Sequence, residues 1–354
     1  MKSKKQKNRK RLLILILASI LISALGLWAY AYYFKNFVAA NVKTNGEELY
    51  LYIYPNYNLD SVYQTLKDLD VLENPSDFRS LAKTKNYDAL NVVPGKYKLI
   101  DGMSTNSLIN HLRAGNGKME VRLSFGNLRN IEQLSGVLSK EILPDSTEIL
   151  NWLKNPDSLA KYGFNSYTIP AFFIPNTYFV NWEISTPKLM RRLAWEYKRF
   201  WNEERQRKAE EMGLSQSEVS TMASIVYWET KKDEDMPKIA GVYMNRIKQG
   251  MPLQADPTLI FALNDFSIRR VLNIHKEIDS PYNTYKFRGL PPGPILIPPI
   301  KYIDAVLNYS QHDYLYFVAK EDFSGYSYFA KNYRQHLVYA RRFQNALNQK
   351  RVYR

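Results

Sequence analysis

The 354-residue chain has no cysteine, which excludes disulfide staples, thiolate metal sites and cysteine nucleophiles. Packed cores must therefore hold it together. Histidine is scarce as well, with four residues in all and none at a spacing that suits zinc. No metal and no cofactor is expected, and His336 reads as structural. Acid is in short supply too: 34 acidic against 49 basic residues give a formal net charge of +15. Residues 1–11 (MKSKKQKNRKR) carry seven of the basic residues and no acid, which leaves +8 for the rest. The remaining composition, 45% hydrophobic and 23% charged, is that of a globular chain with room for two or three packed units.

Charge is absent altogether from Leu12 to Phe34 (LLILILASILISALGLWAYAYYF), 23 residues where a helix needs roughly 20 to cross a bilayer. The sequence predicts a single membrane span at 12–34 behind a cytoplasmic basic tail at 1–11. Positive charge in front of the span places the N-terminus inside and the bulk of the chain in the extracytoplasmic (periplasmic) space of a cytoplasmic, inner membrane. Trp28, Tyr30, Tyr32 and Tyr33 read as the outer interfacial belt. The competing reading is a cleavable signal peptide cut near Ala29-Tyr30-Ala31, although such apolar regions usually run only about 7–15 residues. Either way, the bulk lies outside.

Beyond the span the patterning implies an α+β fold. Glu48–Tyr54 (ELYLYIY) alternates as a strand, a helix opens at Asp60, a second covers Pro75–Lys83, and Val93–Leu99 reads as turn and strand before a short helix at Ser104–Leu112. A related layout returns about seventy residues later: a strand at Glu120–Phe125, then helix faces at Ile131, Leu134 and Leu138 and at Ile149, Trp152 and Leu153. The first piece resembles LysM-like modules, strand-helix-helix-strand units that hold N-acetylglucosamine-containing glycans; a spacer without ligand is the other reading. The expected divisions are a LysM-like α+β module at 45–118, a second related α+β piece at 119–170 and a mixed α+β catalytic domain at 171–354. From Trp182 to Met212 acids interleave with bases on an amphipathic pattern, which describes a solvated helix face and gives no support to nucleic-acid binding.

The stretch Ala223–Ile260 carries the chemistry. Ser215 followed by Glu218 is a capping-box signature for a helix start, and Val219, Met222, Ala223 and Val226 make an apolar stripe. Glu229 falls on the shoulder of that stripe, so its carboxylate is expected to sit partly out of water. Burial disfavours the charged form and suits a general acid; a carboxylate pairing with Lys231, Lys232 or Arg246 is the bland alternative. Asp235 before Pro237 and Asp256 before Pro257 read as starts of two further helices, and the loop MPLQAD between them offers Gln254 and Asp256 as polar groups for sugar hydroxyls. IPNTYFV (Ile174–Val180) and RGLPPGP (Arg288–Pro294) read equally as turns or as ligand contacts, and Tyr178 as core residue or sugar platform.

The blocks ASIVxxET (Ala223–Thr230), VYMNRIKxGMPLQADPT (Val242–Thr258), GLPPGPI (Gly289–Ile295) and YLYFVA (Tyr314–Ala319), with the single span before them, resemble the MltG, or YceG-like, family of endolytic murein transglycosylases. That resemblance covers most of the chain after Lys35. It implies cleavage of the β-1,4 bond between N-acetylmuramic acid and N-acetylglucosamine in peptidoglycan with formation of a 1,6-anhydromuramoyl end, acting on nascent strands to set their length. It also implies Glu229 as the catalytic residue, Asn176, Tyr178, Asn245, Gln254 and Asp256 in or near the cleft, and the cell-wall synthesis and elongation machinery as partners. The chain departs from the family pattern at Tyr227, where a second glutamate is usual, and at Asn176, Ile297, Ser327 and Leu337. A muramidase that hydrolyses the same bond with a second carboxylate from Asp233, Glu234, Asp235 or Asp256, and a non-catalytic peptidoglycan-binding scaffold, are the alternative readings.

Overall fold

The computed structural model describes residues 2–88, 90–268 and 270–349, with side chains from residue 6 onward. Residue 1 of the basic tail and 350–354 of the expected catalytic domain lie outside the described residues. The fold is α+β and divides into two compact units, residues 1–121 with 181–183 and residues 122–180 with 184–354.

The first unit opens with α1 (Lys2–Tyr33), which runs into a short π-helical turn at Phe34–Val38. Its apolar side chains are bare: Leu15, Leu21 and Leu27 are 67%, 62% and 71% exposed. Among the described residues this is the one helix long and apolar enough to cross a membrane, and such exposure is compatible with a single-pass anchor. After it, β1 (Leu49–Ile53) and β2 (Gly95–Leu99) pair antiparallel with Leu51 opposite Tyr97. Their alternation sends Leu51, Ile53, Tyr97 and Leu99 inward. There they meet Val62 and Leu66 of α2 (Leu59–Asp68), Phe78 and Leu81 of α3 (Pro75–Thr84) and Leu108 and Leu112 of α4 (Thr105–Ala114). The α2 helix begins one turn-position earlier than its sequence suggests, because Asn58 and not Asp60 caps it: Asn58 Oδ1 accepts the Ser61 N–H at 2.9 Å. The strand β3 (Glu120–Phe125) follows, with residues 122–125 belonging to the second unit.

In the second unit α5 (Ile131–Leu138), α6 (Ser146–Lys154) and α7 (Pro156–Ala160) precede β4 (Asn176–Asn181), which pairs with β3. The charged amphipathic stretch divides at Trp201 into α8 (Thr186–Phe200) and α9 (Glu203–Met212), with Asn202 capping the second through the Arg205 N–H. Next come α10 (Gln216–Glu229), α11 (Met236–Lys248) and α12 (Asp256–Leu263). After a long irregular stretch the chain ends in α13 (Ile300–Leu307), the antiparallel hairpin of β5 (Tyr316–Ala319) and β6 (Ser327–Ala330), and α14 (Tyr333–Gln349).

The helix α10 is the axis of this unit. The capping box forms as expected, with Ser215 and Glu218 satisfying each other's backbone N–H groups. The apolar stripe, however, is not a face. Every residue from Val219 to Val226 is buried, with α11 and α13 packed against the helix. Thr221 and Ser224 are admitted to this interior because their hydroxyls bond the helix backbone: Thr221 Oγ1 donates to Ser217 O at 2.8 Å and Ser224 Oγ to Thr221 O at 2.6 Å, whereas Ser220 Oγ is buried without a partner among the described residues. Ser224 Oγ also accepts the N–H of Ile295 at 3.0 Å, which fastens the GLPPGPI segment to α10. Gly293 in that segment must be glycine, since a Cβ there would stand 2.0 Å from the carbonyl oxygen of Tyr167. Ile297, two residues beyond that segment, is buried and donates its N–H to Leu128 O at 2.8 Å.

Candidate active site

Glu229 is the last residue of α10. Thr230 turns to extended geometry and ends the helix, with its N–H closing on Val226 O. The side chain of Glu229 therefore leaves the packed interior where the chain turns away. It opens into a cavity of about 360 Å³, where it meets Tyr243 and Arg246 of α11. These two lie three residues apart and so share one helix face. Gln254 comes from the loop ahead of α12, Asp256 from the first residue of that helix, Tyr285 from the irregular stretch, Tyr316 and Phe317 from β5, and Tyr333 and His336 from α14.

The carboxyl is held by one direct bond: Tyr243 Oη donates to Glu229 Oε1 at 2.8 Å. Glu229 keeps partial exposure through the cavity mouth, yet protein crowds its carboxyl. Loss of hydration pushes its pKa from 4.5 up to about 7. The Tyr243 hydrogen bond and the Arg246 charge pull downward, while the negative charge of Asp256 adds to the rise. Tyr243, itself buried against Glu229, is held far above the ordinary phenol range, so it remains a donor. Arg246 is buried because the backbone satisfies it: Nε donates to Leu315 O at 2.7 Å and Nη1 to Leu253 O at 2.6 Å, with Tyr316 stacked 5.2 Å from its guanidinium carbon. One cation thus ties together the start of the hairpin, the Gln254 loop and α11.

The Gln254 loop is strained. Gln254 adopts φ +51°, a left-handed conformation uncommon outside glycine and asparagine and costing on the order of 1–2 kcal/mol. Its N–H donates to Thr284 O at 3.0 Å, and the next N–H, of Ala255, donates to Thr284 Oγ1 at 3.0 Å. This clamp leaves the Gln254 and Asp256 side chains exposed at the cavity. Asp256 Oδ1 accepts the hydroxyl of Tyr285. His336 stacks on Tyr316 with ring centres 5.3 Å apart, and its Nδ1 is buried without a partner. Burial and the Arg246 charge lower its pKa, so at neutral pH it is an uncharged ring at the cavity wall.

The structure thus brings Glu229, Gln254 and Asp256 into one cavity. Asn176, Tyr178 and Asn245 do not line it. Asn176 lies exposed at the start of β4. Tyr178 is a core residue, 3% exposed, stacked on Phe125 with its hydroxyl donated to Ile174 O. Asn245 spends its amide on the backbone, donating to His312 O at 2.6 Å and Tyr314 O at 3.0 Å. In this work it is helped by Gly241, where a Cβ would stand 2.4 Å from Ser310 O. Of the other carboxylates, Asp233 pairs with Lys301 at 2.7 Å, and Asp235, the N-cap residue of α11 as expected, turns its side chain from the helix to accept the N–H of Ser327 at 2.7 Å. His336, read from sequence as structural, belongs to the cavity wall. Tyr243 and Arg246 were visible only as a helix-face residue and a pairing partner; their three-residue spacing is the signal that joins them. Tyr285 and Tyr333 had no local signal, and Tyr316 was visible only as a member of the YLYFVA block.

Chemically, the cavity presents one carboxyl poised to carry a proton near neutral pH, a phenol that orients it, and polar groups on the opposite loop. Chains of this kind are known. A protein of Bacillus subtilis (strain 168) named endolytic murein transglycosylase is 29% identical over 309 residues, covering 83% of this chain and 84% of that protein. A protein of the same name from Streptococcus pneumoniae (R6) is 28% identical over 358 aligned residues, and the match spans 89% of this chain but 62% of the longer relative. A crystal structure of a yceG-like protein from Listeria monocytogenes superposes with a TM-score of 0.54 at 24% identity over 82% of this chain and 98% of the other, a likeness of fold. The model of the YceG-like family matches residues 51–342, a span that contains every residue around the Glu229 cavity, and the chain belongs to that family.

Proposed function

We propose that the protein is an endolytic murein transglycosylase that cuts the MurNAc-β-1,4-GlcNAc bond within peptidoglycan strands and leaves a 1,6-anhydroMurNAc end. The observation that carries this reading is Glu229: a carboxyl with its pKa pushed up to about 7, hydrogen-bonded by Tyr243, at an open polar cavity in a chain whose relatives bear that name. In the protonated state Glu229 gives its proton to the glycosidic oxygen as the C1–O bond breaks and positive charge develops at C1. The muramoyl C6 hydroxyl then adds to C1, and its proton passes to the Glu229 carboxylate. Glu229 ends as it began, and no water is consumed. An internal hydroxyl gains from proximity, so one carboxyl suffices.

Tyr243 fixes the carboxyl's orientation, and Arg246 braces the segments around it. Gln254 and Asp256 are assigned to contacts with sugar hydroxyls on the facing side. Asp256 also favours a second reading. It is the one of the four candidate second carboxylates that lines the cavity, and in a hydrolase it would activate water or act as nucleophile.

The remaining assignments belong to the same proposal. Residues 45–118 form a LysM-like module that touches glycan, 119–170 a related second piece, and 171–354 the catalytic domain. The α1 helix anchors the chain in the cytoplasmic membrane with its basic end inside, facing the catalytic domain to the cell wall and to the synthesis machinery. Incubating peptidoglycan with the full chain and with Glu229→Gln tests the core of the proposal: new glycan ends are expected from the first and none from the second. Equal cleavage by both would remove Glu229 from the mechanism.

A further inference from the structure

Away from the Glu229 cavity, the second unit carries two adjoining hollows of about 390 and 630 Å³ that share Tyr162, Phe164, Tyr197 and Gln216. The larger has an aromatic floor, in which Phe164 and Phe172 meet edge to face at 5.4 Å and Phe172 stacks with Tyr197 at 6.0 Å. Its rim holds Lys161, Arg191 and Lys198 and no acid. None of these three cations has a hydrogen-bond or ion-pair partner among the described residues. Trp195 stands on the same rim, 53% exposed, with the guanidinium carbons of Arg192 and Arg199 at 4.9 and 5.4 Å from its ring. Arg192 is already paired with Glu196, and Glu210 lines the smaller hollow.

A solvated basic face would have no reason to surround an aromatic hollow. We propose that this trough is a second binding site, for an anionic peptide, namely the carboxylate-bearing stem peptide attached to the glycan strand. This inference rests on the proposed substrate. Unpaired cations call for carboxylates, and the aromatic floor calls for the alkyl side chains of a peptide. A neutral sugar would leave the cations unused, and a bare phosphate the floor. The trough is distinct from the chemistry: Gln216 opens α10 and Glu229 closes it, so a helix of 14 residues separates them by about 20 Å. A strand bound at both places is held at two points, which favours long peptide-bearing substrates over short naked ones.

The test uses the detergent-solubilised full chain carrying Glu229→Gln, so that binding is measured without turnover. Calorimetric titration with a synthetic murein pentapeptide bearing free carboxylates is expected to show saturable binding, while the fully amidated peptide binds weakly or not at all. Adding Arg191→Glu and Lys198→Glu, both on exposed positions, should weaken the acidic peptide by about tenfold or more, the effect of losing charge-assisted contacts. Lys67→Glu with Lys83→Glu, which makes the same charge change in the first unit, should leave binding unaltered. Equal binding of the amidated peptide, equal weakening by the control pair, or full displacement by an equal concentration of inorganic phosphate would each overturn the proposal. Cleavage of intact, peptide-bearing peptidoglycan by the chain with native Glu229 is measured separately. Its failure would count against the function and leave the peptide site standing.

Discussion

The hydroxyl of Tyr243 lies 2.8 Å from Glu229 Oε1 and donates to it, which joins the end of α10 to the middle of α11 at the cavity wall. The bond favours the carboxylate over the acid and so opposes the rise that burial imposes on Glu229. Tyr243→Phe removes only that opposition and the orientation that goes with it. The descending limb of the pH–rate profile, expected near pH 7 because the starting acid must be protonated, should move to higher pH by roughly half a unit to one unit, the equivalent of about 1 kcal/mol. The maximal rate should fall at the same time. A profile that does not move would mean that the bond is absent in the working enzyme.

Asp256 acts on the same carboxyl in the opposite sense, since its negative charge helps to raise the Glu229 pKa. Asp256→Asn should therefore shift the limb to lower pH, the reverse of Tyr243→Phe, and the two profiles compared side by side separate electrostatic tuning from general damage. Lost sugar contact should appear as a raised KM for Asp256→Asn. Complete loss of kcat, without a shift, would instead speak for Asp256 as a second catalytic carboxylate.

Linkage gives a stability prediction. The folded-state pKa of Glu229, about 7, stands above its ordinary 4.5, so the folded protein binds the proton more tightly than the unfolded chain. Glu229 is harmless to stability below about pH 4.5, grows costly as pH rises to about 7, and levels off above that. Glu229→Gln carries no such penalty. Its Tm should exceed that of the wild type at pH 8 by an amount equivalent to at least about 1 kcal/mol, and the difference should vanish near pH 4. Thermal denaturation across that range measures it.

Arg246 is expected to matter for architecture as much as for charge. Arg246→Met leaves Leu253 O and Leu315 O without their donors, and each buried unsatisfied carbonyl costs about 1–3 kcal/mol. The variant should lose several degrees of Tm, with proteolysis concentrated in the Gln254 loop and the β5–β6 hairpin. Arg246→Lys can reach only one carbonyl at a time and should recover part of the loss. A Tm unchanged in Arg246→Met would refute the bracing role.

The local grammar of the catalytic helix was legible because it is written in adjacent residues: the Ser215–Glu218 box, the apolar run and the acid at its end all lie within one segment. Gln254 and Asp256 were legible for the same reason, lying in a short polar loop between two recognisable helix starts. The burial of α10 on all sides was hidden, since Thr221 and Ser224 read as polar until their hydroxyls are seen to bond the helix's own backbone. Asn176, Tyr178 and Asn245 lie outside the cavity because polar and aromatic groups in a motif serve the backbone as readily as a sugar: Tyr178 and Asn245 donate to backbone carbonyls, and Asn176 accepts the N–H of Thr177. Nothing local ties Tyr285, Tyr316 or His336 to Glu229, although Tyr316 lies in the YLYFVA block; the folded path of the chain brings them to one cavity.

The most direct test of the account is cleavage of purified peptidoglycan by the full chain in water enriched in ¹⁸O, with mass analysis of the new muramoyl ends. The C6 hydroxyl as nucleophile predicts 1,6-anhydro ends lighter by one water and free of label, made by the wild type and missing with Glu229→Gln. Reducing ends that carry ¹⁸O at C1 would contradict it and make the enzyme a hydrolase.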